Sequence, residues 1–195
     1  MSYDPFRCNY PWCFSPCYPP APCPPPQCPR VCYITNAATT TNIPSGGTVI
    51  PVGATISAGN TTVPAGTVTV INGYTSAPST NAGGVTANNG FFSIPIAGTY
   101  NVAANVCFNT VASILPTDIR EVTIYKVDLS TGIVTLQAID SRTPIAGSPT
   151  CVNVATTIDF ASGDRVFVGV RQTNGASTVI DTVPLAGRIS IARNC

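Results

Sequence analysis

From residue 33 onward, apolar and polar positions alternate in short runs, the period of half-buried strands rather than of helices. Thr67-Val68-Thr69-Val70-Ile71 is β-branched throughout and stops at Asn72-Gly73, a hairpin-type turn signal; Asn89-Gly90 is a second. Phe92 to Ile96 leads through Gly98 into Thr99-Tyr100-Asn101-Val102. Ile119 to Asp128 predicts a long strand, and Leu129-Ser130-Thr131-Gly132 turns it into Ile133 to Gln137. Val152 to Phe160 is followed by the turn Ala161 to Asp164 and then by Arg165 to Arg171, which puts Val166, Val168 and Val170 on one face. Arg188 to Ala192 is the last predicted strand. No window carries a 3.6-residue apolar period. Eight or more short strands separated by Gly, Asn and Pro turns predict an all-β fold, a single jelly-roll sandwich over residues 33–195. The Thr- and Gly-rich stretch from Ala37 to Gly66, with Gly46-Gly47 and Pro64, reads either as two edge strands with loops or as partly extended chain.

Residues 1–32 break this pattern. They hold six of the nine cysteines (Cys8, Cys13, Cys17, Cys23, Cys28 and Cys32) and ten of the nineteen prolines. Pro19-Pro20-Ala21-Pro22-Cys23-Pro24-Pro25-Pro26 excludes helix and central strand and predicts extended, polyproline-II-like chain. Tyr3, Phe6, Tyr10, Trp12, Phe14 and Tyr18 are interleaved in a segment too short to bury them by itself. The segment reads as an irregular N-terminal arm, with Tyr10, Trp12, Phe14 and Tyr18 as anchors against something else.

Composition narrows the classes of function. Only 9% of residues are charged and the net charge is +1, with nine dispersed basic residues of which Lys126 is the one lysine. Nucleic-acid binding, which needs a basic patch, is not expected. Mean hydropathy is +0.27 and hydrophobic residues reach 44%, yet no run approaches a membrane span. A neutral, hydroxyl-rich surface suits dense packing against neighbours. Histidine is absent, which removes the commonest general base and metal ligand. The start, Met1 to Arg7, shows no secretory pattern, whereas nine cysteines point to an oxidising environment; oxidation during assembly of a particle reconciles the two.

Two segments carry a family resemblance. Phe92-Ser-Ile-Pro95-Ile-Ala-Gly98-Thr-Tyr100-Asn-Val102 and Phe160-Ala-Ser-Gly163-Asp164-Arg-Val166-Phe-Val168 resemble, in order and spacing, the jelly rolls of the tumour-necrosis-factor and complement-globular-head superfamily. Gly187 to Ile191 sits where that family's last strand falls, so the resemblance covers roughly residues 90 to 193 and leaves out the arm. It implies Phe92, Pro95, Gly98, Tyr100, Gly163 and Asp164 as fold-defining positions, and an assembly subunit, typically a trimer. Related single jelly rolls serve as capsid, penton and surface proteins of large DNA viruses and as bacterial spore-surface proteins.

The arm cysteines lack Cys-x-x-Cys spacing and have no histidine to assist, so disulfides are favoured over zinc or thiol redox chemistry. Fifteen internal pairings are open to six cysteines. Of the remaining three, Cys107 reads as a small core residue or as a partner of Cys151, while Cys195 joins the arm cysteines as a cross-link candidate. The odd total leaves at least one thiol free or bonded to another chain. Asp118, Glu121, Asp128, Asp140, Asp159, Asp164 and Asp181 fall at predicted turns or strand ends, where ordinary turn and solubility roles account for them better than a glycosidase pair or a calcium loop. Neither Gly46-Gly47 nor Gly83-Gly84 has phosphate-loop context, and Asn60-Thr61-Thr62 is a bare glycosylation sequon.

The expectation is a non-enzymatic structural subunit with no cofactor or metal: a minor capsid, penton or surface protein of a large DNA virus, assembled in the host cytoplasm. Its partners would be further copies of itself, as trimer or pentamer, and neighbouring coat proteins. A spore-surface or appendage subunit is the alternative, and a secreted cytokine-like or carbohydrate-binding trimer a further one; nothing in the residues supports a particular glycan or receptor.

Overall fold

The structure, a computed structural model, describes residues 29, 31–36, 42–43, 68–71, 80–110, 115, 117–173, 178–179 and 187–194. Cys8, Cys13, Cys17, Cys23, Cys28, Tyr10, Trp12, Phe14, Tyr18 and Cys195 lie outside these residues, as do the predicted turn at Asn72-Gly73 and most of the stretch from 37 to 66.

Among the described residues every regular element is a strand. In chain order these are β1 (Cys32–Asn36), β2 (Asn42–Ile43), β3 (Thr69–Val70), β4 (Thr80–Ala82), β5 (Thr86–Asn88), β6 (Phe91–Ser93), β7 (Gly98–Phe108), β8 (Arg120–Val127), β9 (Val134–Arg142), β10 (Thr150–Phe160), β11 (Arg165–Gln172), β12 (Thr178–Val179) and β13 (Gly187–Arg193). One sheet runs β10-β7-β13-β1-β4 and a second β5-β6-β11-β8-β9, with β3 added to the edge of β11 and β2 pairing with β12 apart from both. All pairings are antiparallel, and strands distant in sequence lie side by side, as in β1 against β13. The chain is an all-β jelly-roll sandwich. β1 begins at Cys32, and Val31 is already in the core, so the sandwich takes in two residues whose composition had put them in the arm.

Alternation explains the core. Val102, Val106, Val152, Ile158, Ile189 and Ile191 from the first sheet meet Val122, Ile124, Val166, Val168 and Val170 from the second in one buried cluster. Burying each such side chain is worth about 1.5–3 kcal/mol. The opposite faces of β8 and β11 are not simply solvated. Tyr125 and Phe167 stack at 5.0 Å, Phe91 lies 4.8 Å from Phe167, and all three are buried with Val68, Val127 and Val134 in a second cluster. The turn between β5 and β6 is Asn89-Gly90, with φ of 48° and 83°. Two successive positive φ values make the tight hairpin turn whose twist matches its strands, and Asn-Gly supplies them at little cost.

Candidate assembly face

The outer face of the first sheet is built from the polar half of each alternating strand. β7 and β10 pair over eleven residues with no break in register, from Thr150 opposite Phe108 to Phe160 opposite Gly98. Their outward side chains therefore form rungs: Cys107–Cys151, Asn105–Asn153, Ala103–Ala155, Asn101–Thr157 and Thr99–Asp159. β13 extends three rungs with Arg188 beside Asn105, Ser190 beside Ala103 and Ala192 beside Asn101.

Each polar rung carries a hydrogen bond between its two side chains. Thr99 Oγ1 donates to Asp159 Oδ1 at 2.5 Å and Thr157 Oγ1 to Asn101 Oδ1 at 2.8 Å, while the Asn105 amide donates to Asn153 Oδ1. Such cross-strand pairs hold side chains down against the sheet. Between the amide rungs Ala103, Ala155 and Ser190 leave a shallow depression of about 420 Å³, edged by Arg188. The face is thus pre-ordered and almost uncharged, with small side chains where another surface could approach closely. At one end the Asp159 carboxylate and at the other Arg188 are its ionised groups among the described residues.

Cys107 and Cys151 face each other on neighbouring strands and are joined by a disulfide; Cys107 is also buried at the margin of the main core, with Cys151 packed against it, so both readings of Cys107 hold. Cys32 is a half-buried free thiol. The other cross-link candidates, in the arm and at Cys195, lie outside the described residues.

The two segments of the family pattern meet in space. Ile94 N–H donates to Asp164 O at 2.8 Å, Gly163 N–H to Ile94 O at 2.7 Å, and Ser162 Oγ to Pro95 O at 2.8 Å. Phe92 and Tyr100 are in the main core; Tyr100 crosses Phe160 edge-on at 5.6 Å and donates its hydroxyl to Ile96 O at 2.6 Å. Burial raises the Tyr100 pKa, partly offset by Arg193 nearby. Asp164 departs from the solubility role expected for turn carboxylates. It is 2% exposed, and its carboxylate accepts from Leu129 N–H at 3.0 Å, Ala161 N–H at 2.9 Å and Lys126 Nζ at 3.0 Å. Lys126 also donates to Asp159 O and lies over Phe160.

Two further carboxylates, Asp118 and Glu121, are buried rather than solvated. Glu121 holds Arg171 bidentately, at 2.9 and 2.7 Å, across β8 and β11. Arg120 is wholly buried at the disulfide end, over the Phe108 ring, with Nη1 donating to Gln172 Oε1 at 3.0 Å. Burial lowers its pKa and the Asp118 carboxylate raises it again. These groups sit together where β8 begins and β11 ends, and pair among themselves. Among the described residues no group of three or more Cys, Asp or Glu is placed to hold a metal ion.

Comparison with known proteins adds three findings. No protein-family model matches the chain. It is 41% identical over 75 residues to an uncharacterised protein of Acanthamoeba polyphaga mimivirus, a match covering 38% of the chain and 30% of that protein's length. In three dimensions it superimposes on murine APRIL with a TM-score of 0.55, covering 85% of this chain and 99% of that one at 12% identity. The fold is a tumour-necrosis-factor-like jelly roll. At that identity the likeness is one of fold alone, while the sequence match points to a giant-virus relative.

The chain's alternation could not show which outward residues share a rung, because β7 and β10 are some fifty residues apart and their register comes from pairing. Arg193, to which we return below, gave no signal beyond its place after the Arg188 to Ala192 strand.

Proposed function

We propose that this chain is a non-enzymatic structural subunit of a giant-virus particle, a minor capsid, penton or surface protein. It assembles with copies of itself through the outer face of β10, β7 and β13. The carrying observation is that face: bonded rung by rung across β7 and β10, nearly uncharged, with small residues around a shallow depression at its centre. The rung bonds already occupy Asp159 Oδ1, Asn101 Oδ1 and Asn153 Oδ1, which offsets part of the cost of desolvating this face. The mimivirus relative supports the viral setting, and the tumour-necrosis-factor-like fold supports a trimer as the closed form.

In this reading residues 1–28 form an arm that fastens the body to neighbouring coat proteins, its cysteines cross-linking and its aromatics burying on assembly. Proline lowers the entropy lost when such an arm orders. Deleting residues 1–28, which spares Val31 in the core, is expected to leave a folded body that no longer enters particles. Normal incorporation of that truncation, measured by mass spectrometry of purified particles, would remove the arm from the account. Absence of the full-length chain from particles would remove the viral role itself.

A further inference from the structure

Arg193 closes β13 at the sandwich end that carries the 94–97 and 161–164 segments. Two separate pieces of chain, 29–31 and 97–99, converge on it and the residue after it. Its own N–H donates to Val31 O at 2.9 Å, continuing the pairing of Cys32 with Ala192. Its Nη2 donates to Ala97 O at 2.8 Å, and Nη1 reaches Pro29 O at 3.4 Å. Asn194 N–H, one residue on, donates to Thr99 O at 2.8 Å. The guanidinium also occupies the space beside Gly98: a Cβ there would stand 2.7 Å from Arg193 Nε. Gly98, at φ +149°, thus takes a backbone conformation that side-chain-bearing residues avoid and leaves room for this group.

We propose that Arg193 is a clamp on the root of the N-terminal arm, fixing the point and direction in which residues 1–28 leave the sandwich. The planar guanidinium suits the task because it offers donors in several directions from one rigid head, and it ties Pro29 and Ala97, which are far apart in sequence, to the last strand. A neutral side chain at this position would leave the β1–β13 ladder intact and free the two residues before it. Arg193 is a positioning residue: it acts on where the arm goes. The clamp lies at the opposite end of the sheet from Cys107–Cys151. In a trimer whose three-fold axis runs along these strands every arm leaves from the same pole; this consequence rests on the function proposed above, whereas the clamp itself does not.

Trypsin tests the clamp within a single subunit, whatever the oligomeric state, because the Arg30–Val31 bond lies between Pro29 and the core. Cleavage there, followed by mass spectrometry for a fragment starting at Val31, is compared with cleavage after Arg120, Lys126 and Arg165 in the core strands. In Arg193→Gln, cutting after Arg30 is expected to rise about tenfold, the equivalent of about 1.4 kcal/mol of local protection, with the core sites unchanged. Arg193→Lys, which keeps the charge but presents a single ammonium, is expected to fall between the two. Arg30 cleavage at the wild-type rate in both variants overturns the clamp. So does a parallel rise at Arg30 and the core sites, which would make Arg193 a general stabiliser. The Arg193→Lys variant decides the matter if Arg193→Gln fails to fold.

Discussion

Replacing Asp164 probes the junction between the two halves of the family pattern. Asp164→Ala removes the acceptors for Leu129 N–H and Ala161 N–H and the partner of Lys126. A buried donor left without a partner costs about 1–3 kcal/mol. Leu129 and Ala161 are themselves exposed, so water replaces part of what is lost and the low end applies to each. Lys126 is about one-fifth exposed and keeps its bond to Asp159 O, so breaking the ion pair adds about 0.5–1 kcal/mol at most. The sum is about 3 kcal/mol, a fall in Tm of about 6–12 °C for a domain of this size. Asp164→Asn keeps one acceptor oxygen and is expected to cost about half as much. Lys126→Met breaks the ion pair, the bond to Asp159 O and the contact with the Phe160 ring but leaves both turn bonds in place, and should cost about 1–2 kcal/mol. Urea unfolding followed by far-UV circular dichroism gives all three values. If Lys126→Met proves as costly as Asp164→Ala, the carboxylate matters as an ion-pair partner and the turn-bonding argument is wrong.

Cys107→Ala/Cys151→Ala opens a loop closed across a sequence separation of 44 and should lower stability by about 2–4 kcal/mol, read by the same unfolding assay; a change under about 0.5 kcal/mol would mean the strand pairing alone holds this edge. Tyr100 has a raised pKa in the fold because burial disfavours its phenolate, so at high pH the unfolded chain loses that proton first and the folded state binds more protons. Stability should therefore fall as pH rises past the ordinary tyrosine value of about 10, and Tyr100→Phe should flatten that fall. Equal slopes for the two proteins would place the alkaline sensitivity elsewhere.

Much of the fold is legible in the sequence because alternation and turn chemistry are local. Arg165 to Arg171 shows its buried valines directly, and Asn89-Gly90 announces its hairpin. The outward residue Phe167 was not readable in the same way: its burial depends on Tyr125, Phe91 and Val68, which come from other strands. Asp164 looked like any turn aspartate, since nothing local tells that Leu129 and Lys126 will point their donors at it. The rungs of the assembly face were hidden for the same reason. Their residues are plain Thr, Asn and Ala until β7 and β10 pair and set them opposite one another. That Cys107 is at once a core residue and the partner of Cys151 follows only from the register that sets the two opposite each other.

The account stands or falls on the outer face of the first sheet, and Ala103→Arg tests it most directly. The substitution puts a long charged side chain at the centre of the shallow depression, on an outward position away from the core. Sedimentation equilibrium of a chain in which Cys8, Cys13, Cys17, Cys23, Cys28, Cys32 and Cys195 are replaced by serine, which removes cross-links between arms and keeps the Cys107–Cys151 disulfide, measures the mass. For the 20.1 kDa chain the wild type should run as a trimer of about three times that mass, and Ala103→Arg as a monomer with unchanged circular dichroism. A monomeric wild type, or an Ala103→Arg variant of undiminished mass, would contradict assembly through this face.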